Sequence, residues 1–177
     1  MKKLFLTLPI IFTLIGCSTT IPVNYVPSPS IRGTGDVEVG KFVYAPYERN
    51  EVKANQFQSA TAAIGAMYLS ENVSDLIEQS LNKELLAAGF STEPTTKLKI
   101  SGTVDKLLFD WIGFVEMDMY LDVTYTISKN GNPLVTKKVS SHKALPKMPG
   151  YDSEAIRSTI ADNISKLLLD LRKDKLL

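Results

Sequence analysis

Apolar and polar residues alternate most cleanly between positions 115 and 127. Val115, Met117, Met119, Leu121, Val123, Tyr125 and Ile127 are interleaved with Glu116, Asp118, Tyr120, Asp122, Thr124 and Thr126. Successive side chains of a strand point to opposite faces, so this period of two predicts a strand with one buried and one wet face. Upstream, Leu98, Ile100, Gly102 and Val104 share one phase, and Leu107 and Phe109 the other. That shift predicts a strand over 97–109 with a bulge near Lys106. Lys129-Asn130-Gly131 predicts a turn and 133–143 a returning strand. Parity adds a constraint: an odd-length loop places Val135 and Val139 on the face of Ile127 and Val123, whereas a plain two-residue loop does not. Residues 36–44 predict a first strand. The stretch 45–69 has no decisive pattern, and 60–69 reads equally as a short strand or a loop of small residues.

Two other stretches have the helical period. Val73, Leu76, Ile77, Leu81, Leu85 and Ala88 form one stripe, which predicts a helix over 72–89. Asn72 is its candidate cap, with Asp75 in the first turn, Gly89 as the left-handed stop and Phe90 packing back. Ile156, Ile160, Ile164, Leu167, Leu168 and Leu171 form a second stripe, predicting a helix over 154–173 capped by Asp152 or Ser153. Arg172, Lys173 and Lys175 suit its C-terminal end. The predicted order is strand, helix, three antiparallel strands, helix. The expected fold is α+β: an antiparallel sheet of about four strands with two amphipathic helices packed on one face.

Composition narrows the chemistry. The chain of 177 residues has 20 Lys+Arg against 19 Asp+Glu, a net +1, which gives no basis for nucleic-acid binding. One Cys rules out an intramolecular disulfide and one His rules out a multi-His metal site. The length suits one domain.

The N-terminus departs from the globular pattern. Lys2 and Lys3 precede an apolar run from Leu4 to Ile15, shorter than the roughly 20 residues of a membrane-spanning helix. Leu14-Ile15-Gly16-Cys17 follows. This resembles the lipobox of bacterial lipoproteins, with an apolar residue three before the Cys and a small residue directly before it. The resemblance implies that 1–16 is a signal peptide, that Leu14, Ile15 and Gly16 form the signal-peptidase motif, and that Cys17 is lipidated. Cleavage would remove two lysines and no acid, turning the side-chain charge to −1. Ser18, where Asp would mark inner-membrane retention in enteric bacteria, implies the outer membrane, with the domain facing the periplasm. Residues 17–35 contain Pro22, Pro27 and Pro29 among many hydroxyls and read as a lipidated Cys plus an extended tether. The single α+β domain is then expected over 36–177.

The element order, with the stretches Ser70 to Val73, Leu85 to Phe90, Asn130-Gly131 and Ile160 to Asn163, resembles the YajG-type family of small outer-membrane lipoproteins. That resemblance brings no catalytic residues and no cofactor. With no enzyme constellation in the sequence either, the expected function is an anchored accessory or scaffold module whose partners are the membrane, through the lipid on Cys17, and another envelope protein.

Candidate chemistry in the domain is sparse. His142, with Ser140 and Ser141 nearby, reads as a surface histidine more readily than as a hydrolase base, since no nucleophile-elbow pattern accompanies it. Glu116, Asp118 and Asp122 share a strand face; they suit a hard cation less well than a solvated face paired by Lys138 and its neighbours. Gly33-Thr34-Gly35 precedes a strand and so is not a dinucleotide fingerprint. No catalytic or metal residue is therefore expected. From Leu107 to Phe114, six of eight residues are large and apolar, which is unusual for a strand connection. Trp111, Ile112 and Phe114 are candidate contacts for a partner or the membrane; the competing reading puts them in the core under the helices. Three functions stay open: a protein-binding accessory subunit, a lipid or glycolipid binder with a cavity between helices and sheet, and a hydrolase around His142 or the acidic strand.

Overall fold

The computed structural model describes residues 18–59, 65–93, 98–112, 115–148 and 150–177. Its strands are β1 (Thr19–Ile21), β2 (Glu38–Tyr44), β3 (Gln58–Ser59), β4 (Met67–Leu69), β5 (Leu98–Asp110), β6 (Glu116–Lys129) and β7 (Asn132–Pro146). Its helices are α1 (Ala45–Glu48), α2 (Val73–Ala88) and α3 (Tyr151–Lys173).

The sheet is mixed and five-stranded, not antiparallel and four-stranded. Strands β5, β6 and β7 form the predicted antiparallel meander, but β2 lies parallel to β5 and β3 continues that edge, also parallel. The cause is topological: α2 lies between β2 and β5 in the chain and returns it to the sheet as a crossover. Strands β1 and β4 form a separate parallel pair. The predicted helices pack on one face, α2 over β2 and β5, and α3 over β6 and β7.

Patterning fixes which face is buried. Met117, Met119, Leu121, Val123, Tyr125 and Ile127 are all fully buried, as are both predicted helical stripes. The register of β5 shifts between Val104 and Lys106, where the bulge is predicted. Val115, expected at the head of the buried series, lies before the strand and is exposed. In the β6–β7 hairpin the faces match expectation, with Val123 opposite Val139 and Ile127 opposite Val135. The device differs. Asn130 and Gly131 both have positive φ and make a two-residue turn, and a register shift between Ile127 and Ser128 restores the parity.

The helix ends are only partly as expected. Gly89 is left-handed and ends α2. The Asn72 side chain bonds Asp75 (2.9 Å) and not the helix backbone. Helix α3 starts at Tyr151 after a left-handed Gly150, without a side-chain cap, and the Ser153 hydroxyl instead donates to the Pro22 carbonyl (2.8 Å).

That last contact exposes the largest correction. Residues 18–35 are not a free tether but a strap across the domain. Ile21, Val23, Tyr25 and Ile31 are buried in the common core. The Gly33 amide donates to the Ala88 carbonyl at 3.0 Å. Polar residues finish the fastening. Glu84, buried on the α2 stripe, accepts from the Tyr25 hydroxyl at 2.6 Å and the Ser28 amide at 3.0 Å. Burial, then the Glu84 carboxylate, push the Tyr25 phenol well above its ordinary pKa, so it stays a neutral donor. Asn163 plays the matching part in α3. Its amide donates to the carbonyls of Leu121 (3.2 Å) and Val139 (3.0 Å) and accepts from the Tyr125 hydroxyl (2.8 Å).

Candidate functional site: one end of the sheet and its open face

Two surfaces contain the residues singled out in the sequence. The first is the end of the sheet where β5 turns into β6. Trp111 is half-buried rather than presented outward. Its ring stacks on Phe109 with centroids 5.9 Å apart, and Phe109 meets Phe57 edge-on at 6.0 Å. Lys147 covers the indole, its Nζ 4.9 Å from the ring centroid and donating to the Trp111 carbonyl. Trp111 is thus a lid on the end of the core, between the surface and core readings. Its neighbour Ile112 is the exposed residue, at 64%, and Val115 is more exposed still, at 75%. Met148, on the connection from β7 to α3, is exposed nearby in the fold, since Lys147 bonds back to the Val115 carbonyl (3.0 Å) and the Met148 amide to that of Pro146 (2.9 Å). Phe114, like Leu14, Ile15, Gly16 and Cys17, lies outside the described residues.

The second surface is the open face of β5–β6–β7. Register brings Leu108, Tyr120 and His142 side by side across three strands. The His142 ring stacks on Tyr120 at 4.4 Å and bonds Asp118 at 2.6 Å; from the opposite strand Lys106 reaches over the Tyr120 ring at 4.6 Å. Asp118 is therefore paired by His142, and Lys138, expected to neutralise the acidic strand, lies opposite Thr124. Among the described residues no cluster of three acids, histidines or cysteines is arranged to hold a metal. The Asp118–His142 pair could orient an imidazole, but Ser141 is buried on the other side of β7. The array is a polar and aromatic surface on the open face of the sheet.

A hollow of about 470 Å³ lies between the strap and α3, lined by Val26, Lys143, Glu154, Arg157 and Asp162 among others. Its charges are already matched: Arg157 with Glu154 at 2.7 Å, and Asp162 with Lys166 at 2.7 Å and Lys143 at 3.7 Å. Burial pushes the Asp162 carboxyl up, but Lys166, Ser141 and Lys143 outweigh it and hold its pKa below the ordinary value.

No family model matches the sequence, and no curated protein matches it closely enough to count as a relative. Solved structures do match the fold. A Xanthomonas campestris protein of the DUF330 family superposes with a TM-score of 0.65 at 11% identity, covering 89% of this chain and 99% of its own. The hypothetical protein CT253 from Chlamydia trachomatis superposes at 0.53 with 7% identity, covering 78% and 96%. Lipoproteins also stand among the structural neighbours, including a minor lipoprotein from Acinetobacter baumannii at 0.44 and 14% identity, covering 83% and 96%. The DUF330 protein and CT253 share this α+β fold. No helix among the described residues is long and apolar enough to cross a membrane.

Proposed function

We propose that this chain is a lipid-anchored protein of the bacterial outer membrane, facing the periplasm, that binds or scaffolds another envelope component. In this reading it is a relative of the YajG-type lipoproteins. The observation that carries the proposal is the lipobox Leu14-Ile15-Gly16-Cys17, whose Cys stands two residues before strand β1 opens at Thr19. A thiol is the side chain suited to thioether formation with a lipid, and Gly16 leaves the cleaved backbone unshielded. Two acyl groups on one residue would hold the protein stably, where a single chain gives only marginal binding.

The open sheet face is the surface offered to the partner. It presents the stacked Tyr120–His142 pair with Asp118 and Lys106 beside it, aromatic area edged by polar groups as at a contact with a polar rim. A lipid carrier is the weaker reading. The side chains between helices and sheet, such as Leu121, Tyr125, Ile160 and Ile164, pack directly on one another in a single core.

The decisive experiment follows processing and lipid labelling in cells. Wild type should incorporate labelled palmitate and fractionate with the outer membrane. Cys17→Ala should lose the label and accumulate as a longer precursor. A normally processed, membrane-bound Cys17→Ala protein would overturn the proposal. Crosslinking from Tyr120 in intact cells then identifies the partner.

A further inference from the structure

We infer that the end of the domain around Ile112, Val115 and Met148 rests on the lipid surface itself, so that the anchor and the domain touch the membrane together. This rests on the reading that Cys17 carries lipid.

The argument starts from where the chain leaves the anchor. Thr19 opens β1 beside Met67, and its amide donates to the Ala66 carbonyl at 3.2 Å. Strand β1 is parallel to β4, and Gln56 just before β3 pairs antiparallel with Tyr68 in β4. Strand β3 in turn runs parallel to β5, with Ser59 beside Phe109. Following these directions, β1 begins at the end of the molecule where β5 finishes. The same end receives the start of β6 and the finish of β7, since Glu116 pairs with Pro146. Lipid on Cys17 would therefore emerge beside the Trp111 end, two residues from the first strand and with no free spacer between.

That end has the surface a bilayer would take. Ile112, Val115, Met148 and Tyr151 are all exposed large side chains there. Apolar groups that remain wet in the free domain lose that cost on reaching acyl chains. Lys147, seated over the half-buried Trp111 ring, adds a cation at this end, which suits the headgroup boundary. The opposite end of the sheet, at the Asn130-Gly131 turn, presents Leu134 as its exposed large apolar residue, which supplies an internal control.

Trp111 is the only tryptophan, so its emission reports this end alone. Palmitate-labelled mature protein would be reconstituted into vesicles of phosphatidylethanolamine and phosphatidylglycerol, with or without brominated acyl chains. The expected result is a loss of Trp111 emission in the brominated vesicles. Ile112→Asp with Val115→Asp should relieve that loss, while Leu134→Asp should not. Labelled, vesicle-bound wild type with unquenched Trp111 would overturn the docking and leave the anchor intact, assigning this end to a protein partner. Quenching unchanged in the double variant would also overturn it. Absence of palmitate label would instead overturn the anchor on which the docking rests.

Discussion

Replacing Tyr25 by Phe tests whether residues 18–35 are a strap or a spacer. The change keeps the buried ring and removes one hydroxyl, so the burial contribution cancels and the hydrogen bond is isolated. The lost bond is short, at 2.6 Å, and runs to a carboxylate that is only 3% exposed. A hydrogen bond to a charged acceptor is worth about 1.5–3 kcal/mol, and Glu84 would keep the Ser28 amide as its donor. The expected destabilisation is therefore about 1.5–3 kcal/mol, a drop in melting temperature of roughly 3–12 °C for a domain of this size. The local effect should exceed the global one. Limited proteolysis of the detergent-solubilised mature protein should leave residues 18–31 protected in wild type and release them early in Tyr25→Phe, because the strap has less to hold it than the sheet does. An unchanged melting temperature, together with rapid cleavage of this segment in wild type, would refute the strap and restore a free tether.

Three further substitutions separate surface from core. Leu121→Ala should cost about 2–5 kcal/mol as a buried large-to-small change, and Asp122→Ala, on the open face, under about 1 kcal/mol; equal losses in chemical denaturation would mean the alternation of β6 was misassigned. Trp111→Ala should cost about 2 kcal/mol, below a fully buried tryptophan, because the half-buried ring stacks on Phe109; an unchanged melting temperature would return Trp111 to the surface.

Much of this fold was legible because burial imposes a period. The alternation of β6 and the two helical stripes each have one wet and one dry side, and one face of one sheet accommodates all three. Strand direction leaves no such mark. Phe42 and Tyr44 show which face of β2 is buried but not that the strand runs parallel to β5. The strap was hidden by its prolines, although Ile21, Val23 and Tyr25 alternate around Pro22 and a strand signal was present in them. Glu84 and Asn163 were harder still. A polar residue on an apolar stripe reads as a break, and only the partners, Tyr25 and Tyr125, show it to be a fastening. The Asp118–His142 pair sits on the diagonal of a hairpin and depends on register. The turn residues left that register open until the bulge after Ile127 was known.

The strap changes what an anchored domain of this kind can do. Eighteen extended residues would span roughly 50 Å and let the domain search a wide volume above the membrane. With those residues packed, the reach disappears and orientation replaces it. In the proposed docking, β5, β6 and β7 stand away from the lipid. At about 3.3 Å per residue, strands of 13 to 15 residues rise some 40–50 Å. The open face then rises from the bilayer, with Asp118, Tyr120 and His142 nearer the lipid and the hairpin of Asn130 and Gly131 farther from it. A partner meeting that face must itself stand close to the membrane and present a side, not a tip. Loss of the Tyr25–Glu84 bond would raise the fraction of time the strap is released while leaving the sheet intact. Tyr25→Phe should therefore broaden the set of proteins crosslinked from Tyr120, and an unbroadened set would mean that something other than the strap confines the domain.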